Sequence, residues 1–191
     1  MPSNRREFIK KSAAATAVIG MTSPFSNLKG GILGANDKLV CGVIGVNGMG
    51  FSDLRAFLNQ PNTECAALCD VDQNVLDKRI KDVEKIQGKA PRGYKDFRHL
   101  LEHPGLDVII IGTPDHWHTI PFIYALQEGY SIYCEKPLAN SIEECNIMER
   151  AVHKYGNVVQ IGQWQRSDTH WQDAIRYVHS GQLGKIRTVR A

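Results

Sequence analysis

The chain has 191 residues, 42% of them hydrophobic, which is enough for one ordinary domain or for one domain with part of a second. Its 23 lysines and arginines outnumber its 20 acidic residues, but residues 1–37 hold five of the former and two of the latter, so residues 38–191 carry 18 of each. Proteins that bind the phosphate backbone concentrate positive charge on the folded domain, so this neutral balance excludes nucleic acid as an expected partner.

Residues 1–37 are predicted to form an export signal and a linker. The pair Arg5-Arg6 is followed by Phe8 and by a small, mildly apolar run over residues 12–21. That run is shorter than the stretch of about 20 apolar residues that spans a bilayer. The arrangement resembles a twin-arginine signal, and the alternative is a basic tail. The resemblance implies that the twin-arginine translocase exports the folded protein to the periplasm.

From Lys38 onward, apolar runs alternate with helical patterns. The predicted strands, in chain order, are Leu39–Ile44, Cys65–Cys69, Asp107–Ile111, Ser131–Cys134 and Val158–Ile161. Helices are predicted from the turn after the first strand to Leu58, and over Gln73–Ile86, Asp96–Glu102, His116–Glu128 and Ser141–Tyr155. This alternation is typical of βαβ units, and it predicts a Rossmann-type α/β fold, a parallel sheet with helices on both faces.

Residues 38–162 are expected to form this Rossmann domain, and residues 163–191 the start of a second α/β domain that is truncated at Ala191. In that second part, a helix is predicted over His170–Val178 and a strand over Lys185–Arg190. The five cysteines are an odd set without paired spacing, which favours buried thiols over a disulfide framework.

A glycine-rich turn, Gly45-Val46-Asn47-Gly48-Met49-Gly50, follows the first strand and opens a helix. In that context such a turn binds the pyrophosphate of a dinucleotide, and the alternative is a strand–helix turn without a ligand. Asn47 replaces the usual middle glycine; asparagine tolerates a left-handed backbone, and Gly48 beside it restores some room. Cofactor contacts are therefore predicted for Gly45, Asn47, Gly48, Met49 and Gly50.

Asp70 ends the second strand 25 positions after Gly45, near the offset of about 20 residues at which an acid hydrogen-bonds the adenosine ribose. A carboxylate there repels a 2′-phosphate, and Asp72 adds to that repulsion. The pattern therefore predicts NAD as the cofactor, with NADP disfavoured. The alternative is a solvated turn carboxylate.

The loop after the buried third predicted strand reaches the carboxyl edge of the sheet, where Thr113 and Pro114 are expected near the cofactor. Asp115, or a backbone group, is expected to cap the following helix. His116 and His118 could ligate a metal, but three convergent ligands are needed and no third is evident, so no metal site is predicted.

Glu135-Lys136-Pro137 follows the next strand. A lysine at a strand end can hydrogen-bond a substrate hydroxyl and favour its deprotonation, with a pKa that desolvation can tune. Pro137 can fix the turn, including through a cis peptide bond. The alternative is a surface lysine before a turn proline.

Together these motifs resemble the Gfo/Idh/MocA oxidoreductase family. The shared pieces are the glycine turn, Thr113-Pro114 with His118 four residues after the proline, Glu135-Lys136-Pro137-Leu138-Ala139, and Gly181-x-x-Gly184-Lys185-Ile186. The resemblance implies a two-domain enzyme whose first domain binds NAD(P) and whose second supplies most of the substrate pocket and often mediates oligomers.

For individual residues, the resemblance implies a catalytic role for Lys136. It also implies that Glu135 contacts the cofactor. We predict a cofactor contact for His118 as well. The loop after the last strand holds Trp164 and Arg166, which we predict to bind substrate together with Lys136. The family's general-base pair, an Asp and a His four residues apart, is not matched within this sequence and is expected beyond Ala191.

The predicted function is that of an exported NAD(P)-dependent oxidoreductase acting on a hydroxyl or keto group of a sugar, cyclitol or glycoside. One alternative is an NAD-using glycoside hydrolase of the same superfamily, against which the Glu-Lys-Pro signature argues. The other is a non-catalytic nucleotide-binding fragment. The expected partners are a small carbohydrate or cyclitol, the translocase, and a second copy through the missing domain.

Overall fold

The computed structural model describes residues 38–190, and the predicted export signal lies outside them. Six parallel strands form one sheet: β1 (Leu39–Ile44), β2 (Thr63–Cys69), β3 (Arg92–Tyr94), β4 (Val108–Ile111), β5 (Ser131–Cys134) and β6 (Val159–Ile161). The helices are α1 (Gly48–Leu58), α2 (Gln73–Gln87), α3 (Phe97–Leu101), α4 (Thr119–Gln127), α5 (Ile142–Tyr155) and α6 (Thr169–His179). The sheet order is β3-β2-β1-β4-β5-β6, which confirms the predicted Rossmann-type fold.

The helices cover both faces of the sheet because the buried strands are apolar on both sides. On β4, Ile109 and Ile111 join the core under α4 and α5, whereas Ile110 joins the core under α1 and α2. Full burial of a side chain such as Phe122 or Leu54 contributes about 1.5–3 kcal/mol, so the two cores hold the helices against the sheet.

The five cysteines are free, as predicted, and four of them are buried. Burial raises the pKa of Cys69 to about 12, with Asp70 and Asp96 adding to the effect. Burial and the charge of Glu135 likewise raise the pKa of Cys134 to about 12. These thiols therefore stay protonated and behave as small hydrophobic groups.

Two predicted elements differ from the structure, and one strand of the structure was not predicted. Lys185–Arg190 is not a strand, because no strand among residues 38–190 lies beside it to accept its hydrogen bonds. The helix predicted over 116–128 is divided into a short 3-10 turn, Asp115–Trp117, and α4. Asp115 caps neither; its carboxylate accepts the N–H of His116. Strand β3 was not predicted, since Arg92-Gly93-Tyr94 has no apolar run.

The register of the sheet determines which residues meet at its carboxyl edge. Ile44 pairs with both Cys69 and Ile111, Ile111 pairs with Cys134, and Cys134 pairs with Ile161. The residues that follow these strand ends therefore lie side by side, in the order Asp70, Gly45, Gly112, Glu135 and Gly162. The strand order reverses between β1 and β4, and a crevice at such a reversal is where α/β proteins bind ligands.

No helix among residues 38–190 is long and apolar enough to cross a membrane. Helix α6, which lies in the segment predicted to begin a second domain, has no buried residue.

Candidate cofactor and active site

The glycine turn is packed backbone against backbone. Gly45 has a φ of +81°, and a Cβ atom there would lie 2.6 Å from the amide nitrogen of Thr113. A Cβ on Gly50 would overlap the carbonyl oxygen of Gly45, and one on Gly112 would overlap the Cα of Gly50. Side chains at these positions would push α1 away from β1 and β4.

Asn47 begins α1 in an extended conformation, with φ −94° and ψ 162°, and not in the left-handed conformation that its residue type tolerates. Its Oδ1 accepts the N–H of Gly48 at 3.0 Å. Gly48, like Gly45, has a positive φ, here +47°, but a Cβ at Gly48 would have no atom within 4 Å. The open backbone suited to a pyrophosphate therefore lies at Gly48, at the N-terminus of α1.

Asp70 is half-buried and joins the turn to the end of β2. Its Oδ2 accepts the N–H of Val46 at 3.0 Å, and its Oδ1 accepts the N–H of Asp72 at 3.0 Å. A carboxylate has about four acceptor sites, so Asp70 can still accept a ribose hydroxyl. The structure thus gives Asp70 a structural role in addition to the predicted one.

A cleft of about 540 Å³ runs along this part of the edge. Its lining includes the predicted residues Gly45, Asn47, Asp70, Thr113 and Pro114. Lys95 and Arg98 also line it, and sequence reasoning missed both, because they come from the loop and helix after the unpredicted strand β3.

Arg98 is bound by a neighbouring carboxylate. Its Nε lies 2.9 Å from Oδ1 and 3.1 Å from Oδ2 of Asp96. The hydrogen bond from Arg98 lowers the pKa of Asp96 to about 2, so this exposed pair is ionised throughout the physiological range. Arg98 is therefore largely neutralised within the cleft.

A second cleft, of about 570 Å³, contains the predicted catalytic lysine. Its lining residues are Met49, Lys136, Gly162, Gln163, Trp164, Gln165 and Arg166. The structure therefore brings Met49 from the glycine turn and all three predicted substrate-binding residues to one place. The Lys136–Pro137 peptide bond is cis, one of the options that the sequence allowed.

His118 is 1% exposed and does not face either cleft. Its Nε2 lies 2.7 Å from the carbonyl oxygen of Thr113, and its Nδ1 lies 2.9 Å from that of Pro137. The ring therefore joins the loops after β4 and β5. This geometry differs from the predicted cofactor contact and gives His118 a supporting position.

Glu135 is also buried, at 3% exposed, and lies behind Lys136. Its Oε2 accepts the backbone N–H of Lys136 at 3.2 Å, whereas its Oε1 has no hydrogen-bond partner. Gly162 is packed so closely on Oε1 that a Cβ atom there would overlap it. The side chain thus supports Lys136 from within the protein.

Sequence reasoning missed Asp53, whose Oδ2 is buried without a hydrogen-bond partner. Burial, and after it the charge of Glu135, raises the pKa of Asp53 to about 7. The one signal in the sequence is helical spacing: Asp53 follows Met49 by four residues and so shares its face of α1.

Within residues 38–190, no three His, Cys, Asp or Glu side chains converge on a possible metal position. The exposed ring of His116 lies beside Asp115, with 3.5 Å between Nδ1 and Oδ1. For a dinucleotide, by contrast, the residues present fit: open backbone at Gly48, the N-terminus of α1, and an acid at the end of β2.

Comparison with known proteins agrees with this geometry. A glycosyl hydrolase family 109 protein of Shewanella baltica is 30% identical over 161 residues, which cover 74% of this chain and 35% of that protein. The chain thus spans about a third of the length of such curated relatives.

Among solved structures, myo-inositol 2-dehydrogenase from Lactobacillus plantarum is 25% identical with a TM-score of 0.70, covering 78% of this chain and 43% of that one. Scyllo-inositol dehydrogenase from Lactobacillus casei, solved with NAD(H) and scyllo-inositol, shares the fold at 22% identity, with a TM-score of 0.69 over 78% of this chain and 43% of that one.

Residues 39–163 match the profile described as an oxidoreductase family with an NAD-binding Rossmann fold. This match covers most of the described residues and includes the glycine turn, Asp70 and Lys136. The chain therefore belongs to the Gfo/Idh/MocA oxidoreductase family.

Proposed function

We propose that the complete protein is an NAD-dependent dehydrogenase that oxidises a hydroxyl group, or reduces the matching keto group, of a sugar, cyclitol or glycoside. The observation that supports this most is the second cleft, in which Lys136 lies with Met49 of the glycine turn and with Trp164 and Arg166. A dinucleotide bound across the crevice has its adenosine end at Asp70, so its reactive end lies on the side of β4 to β6, where this cleft is.

In the proposed reaction, the ammonium of Lys136 donates a hydrogen bond to the reacting oxygen of the substrate. This stabilises the negative charge that develops on the oxygen as its proton leaves. When bound, NAD supplies the hydride acceptor, C4 of the nicotinamide ring. We propose that the group that takes the proton comes from the C-terminal domain.

The other residues of the cleft suit a polyhydroxylated ring. Trp164, 49% exposed, offers a flat apolar face to the C–H side of such a ring. Arg166, Gln163 and Gln165 offer hydrogen-bond donors to its hydroxyl groups. The similarity to myo-inositol 2-dehydrogenase supports this substrate class.

The proposed preference for NAD follows from the charges at the adenosine end. Asp70 lines the first cleft together with Asp96, and Arg98 is held by Asp96. Two carboxylates would therefore repel a 2′-phosphate, and the arginine of the cleft is already paired with one of them.

We also propose export to the periplasm by the twin-arginine translocase, and assembly of copies through the C-terminal domain. Export is tested by fractionating cells that produce the wild type or the Arg5→Lys/Arg6→Lys variant. We expect folded wild-type protein in the periplasmic fraction and the variant in the cytoplasm, and equal distribution of the two would refute it.

A second candidate function is NAD-assisted glycoside hydrolysis, which the 30% identity to a glycosyl hydrolase family 109 protein favours. The two functions differ in their products. Transient oxidation followed by return of the hydride would release free sugar without net NADH, whereas a dehydrogenase accumulates NADH in proportion to oxidised substrate.

The deciding experiment uses the complete protein with NAD and a panel of inositols, sugars and aryl glycosides, monitored for NADH at 340 nm and for free sugar. We expect NADH with at least one inositol or sugar, and a loss of about 100-fold or more in Lys136→Met. Lys154→Met is the matched control, since Lys154 is an exposed residue of α5 outside both clefts. Free sugar without NADH would replace this proposal with the hydrolase.

A further inference from the structure

The first cleft has two walls that come from strands separated by one strand of the sheet. Asp70 and Val71 follow β2 on one side, and Thr113, Pro114 and Trp117 follow β4 on the other, with β1 between them. Neighbouring strands lie about 4.8 Å apart, so the backbones of the two walls are about 10 Å apart. A planar ring in contact with apolar groups on both faces needs about 7 Å between those groups. The cleft therefore has the width for a flat ring between its walls.

Each wall contributes an exposed apolar side chain to the lining of this cleft. Val71 is 86% exposed and Trp117 is 48% exposed, and both residues line the cleft. Burial of apolar surface is favourable, and tryptophan is among the residues with the most surface to bury. Exposed aromatic surface in a concave site with a few polar groups is typical of a ligand pocket. The two side chains are therefore candidates for direct contact with a ligand.

Hydrogen bonds on both sides of Trp117 hold its backbone in place. Its N–H donates to the carbonyl oxygen of Pro114 at 2.8 Å, and its carbonyl oxygen accepts the hydroxyl of Thr113 at 3.2 Å. The next residue is the buried His118, whose Nε2 lies 2.7 Å from the carbonyl oxygen of Thr113. The backbone that carries the indole is thus fixed in the absence of a ligand, which reduces the conformational entropy that binding costs.

The neighbours of these two side chains suit a neutral base attached to a ribose. Asp70, which can accept a ribose hydroxyl, directly precedes Val71, so a base on that ribose lies beside Val71. Phe97 adds a further aromatic ring to the lining and packs edge-to-face on Tyr124, with 5.6 Å between the ring centroids. An aromatic base between the walls would therefore contact apolar groups from both of them.

We propose that Trp117 is a base-stacking residue: its indole covers one face of the adenine ring of the dinucleotide, and Val71 covers the other. This rests on the proposed function, since it takes the first cleft as the adenosine end of a nicotinamide cofactor. Stacking of a base on an aromatic side chain strengthens binding by roughly fivefold to a hundredfold. Trp117 thus determines how tightly the adenosine end is held, and its effect is the same for every ligand that carries this end.

The first experiment detects the stacking directly. The tryptophan emission of the complete protein is titrated with AMP and with ribose 5-phosphate, which lacks the base. We expect AMP to quench the emission and ribose 5-phosphate to leave it unchanged, because a base stacked on an indole quenches it. Trp117→Phe should lose the quenching. Trp171→Phe is the matched control, since Trp171 is 45% exposed on α6 and outside the first cleft, and it should keep the quenching. Quenching by AMP that survives Trp117→Phe would overturn the proposal.

The second experiment measures affinities by calorimetry for NAD and for ADP-ribose, which keeps the adenosine and both phosphates but lacks the nicotinamide. Trp117→Ala should weaken both ligands by the same factor, about tenfold or more, and Trp117→Phe should retain most of the affinity. Val71→Ala should weaken both about twofold to fivefold. Ile142→Ala is its control, since Ile142 is 81% exposed on α5 and outside the cleft. Weaker binding of NAD with unchanged binding of ADP-ribose would place Trp117 at the nicotinamide end and overturn the proposal.

The outcomes separate this proposal from the proposed function. If the wild type and Trp117→Ala bind NAD equally well, the stacking is wrong and the dehydrogenase proposal stands. If AMP and ADP-ribose depend on Trp117 but no substrate of the panel yields NADH, the stacking stands and the proposed function fails. If neither AMP nor NAD binds to the complete protein, both proposals are overturned.

Discussion

The Nδ1 atom of the buried His118 lies 2.9 Å from the carbonyl oxygen of Pro137, the residue after Lys136. The other ring nitrogen lies 2.7 Å from the carbonyl oxygen of Thr113, in the loop beside the nucleotide cleft. One side chain therefore connects the loop that forms the first cleft to the loop that carries the lysine of the second. This ring therefore fixes the position of the predicted adenosine site relative to the predicted reaction centre.

The first prediction concerns this connection. His118→Ala should lower the free energy of unfolding by about 2–4 kcal/mol, because it leaves a cavity in place of a buried ring and removes the side chain that joins the loops after β4 and β5. Urea denaturation measures the change. His116→Ala removes an exposed imidazole two residues earlier and should change stability by no more than about 0.5 kcal/mol. Equal stability of the two variants would contradict the supporting position of His118.

The second prediction concerns the packing of the glycine turn. Gly50→Ala should destabilise the protein by about 3 kcal/mol, because the new Cβ would overlap the backbone of Gly45 and displace α1. Gly88→Ala is the control: Gly88 has a φ of +76°, but its Cβ would meet open space, so only the backbone strain of about 1 kcal/mol applies. Thermal unfolding measures the stability of both variants. A smaller loss of stability in Gly50→Ala than in Gly88→Ala would show that the turn can relax.

The third prediction concerns cofactor preference. Asp96→Asn should free the guanidinium of Arg98 for a 2′-phosphate and raise the affinity for NADP roughly fivefold to tenfold, with little change for NAD. Fluorescence titration with both nucleotides measures this. Asp96→Asn/Arg98→Ala should remove the gain. An unchanged NADP affinity in the single variant would show that Arg98 does not reach the adenosine end.

The fourth prediction is a pH dependence of stability. The pKa of Asp53 is raised from 3.8 to about 7 on folding, so the folded protein binds more protons than the unfolded chain between these values. The contribution of Asp53 to the free energy of unfolding is therefore greatest below about pH 4 and is lost as the pH rises towards 7. The loss is on the order of 2 kcal/mol after allowance for partial solvent screening.

Urea denaturation at pH 4.5 and pH 7.5 tests this dependence. Wild type and Asp77→Asn should lose stability between these two pH values relative to Asp53→Asn. Parallel profiles for Asp53→Asn and the wild type would show that Asp53 titrates normally.

The fifth prediction concerns Trp164 and rests on the proposed function. Trp164→Ala should raise the KM for a sugar or cyclitol substrate about tenfold with little change in kcat, because a stacking face contributes equally to the bound substrate and the transition state. Trp164→Phe keeps a ring face and should recover most of the affinity. Steady-state kinetics decide, and a loss confined to kcat would point to a role in the reaction step.

Much of the fold follows from local patterns. The bounds of β1 and β5 agree with the predicted ones, because each is an apolar run between turn residues. The glycine turn, Asp70 and Lys136 were located at strand ends for the same reason, since a residue that follows an apolar run must emerge at the edge of a sheet. Parallel pairing then brings all such ends to one edge.

Local sequence patterns could not predict the features that depend on contacts between residues distant in sequence. The short β3 forms only because β2 lies beside it, and Lys185–Arg190 has no such neighbour among residues 38–190. Arg98 enters the nucleotide cleft because β3 and α3 carry it there.

The same holds for the two side chains that support the site. Reading the sequence is enough to see that a histidine follows Thr113-Pro114 and that an acid precedes Lys136. It took the three-dimensional fold to show that the imidazole of His118 turns inward to two carbonyl groups and that Asp53 of α1 feels the charge of Glu135 from β5. Orientation and proximity of this kind depend on strand register and on the packing of α1 against the sheet, and these are set by contacts across the whole domain.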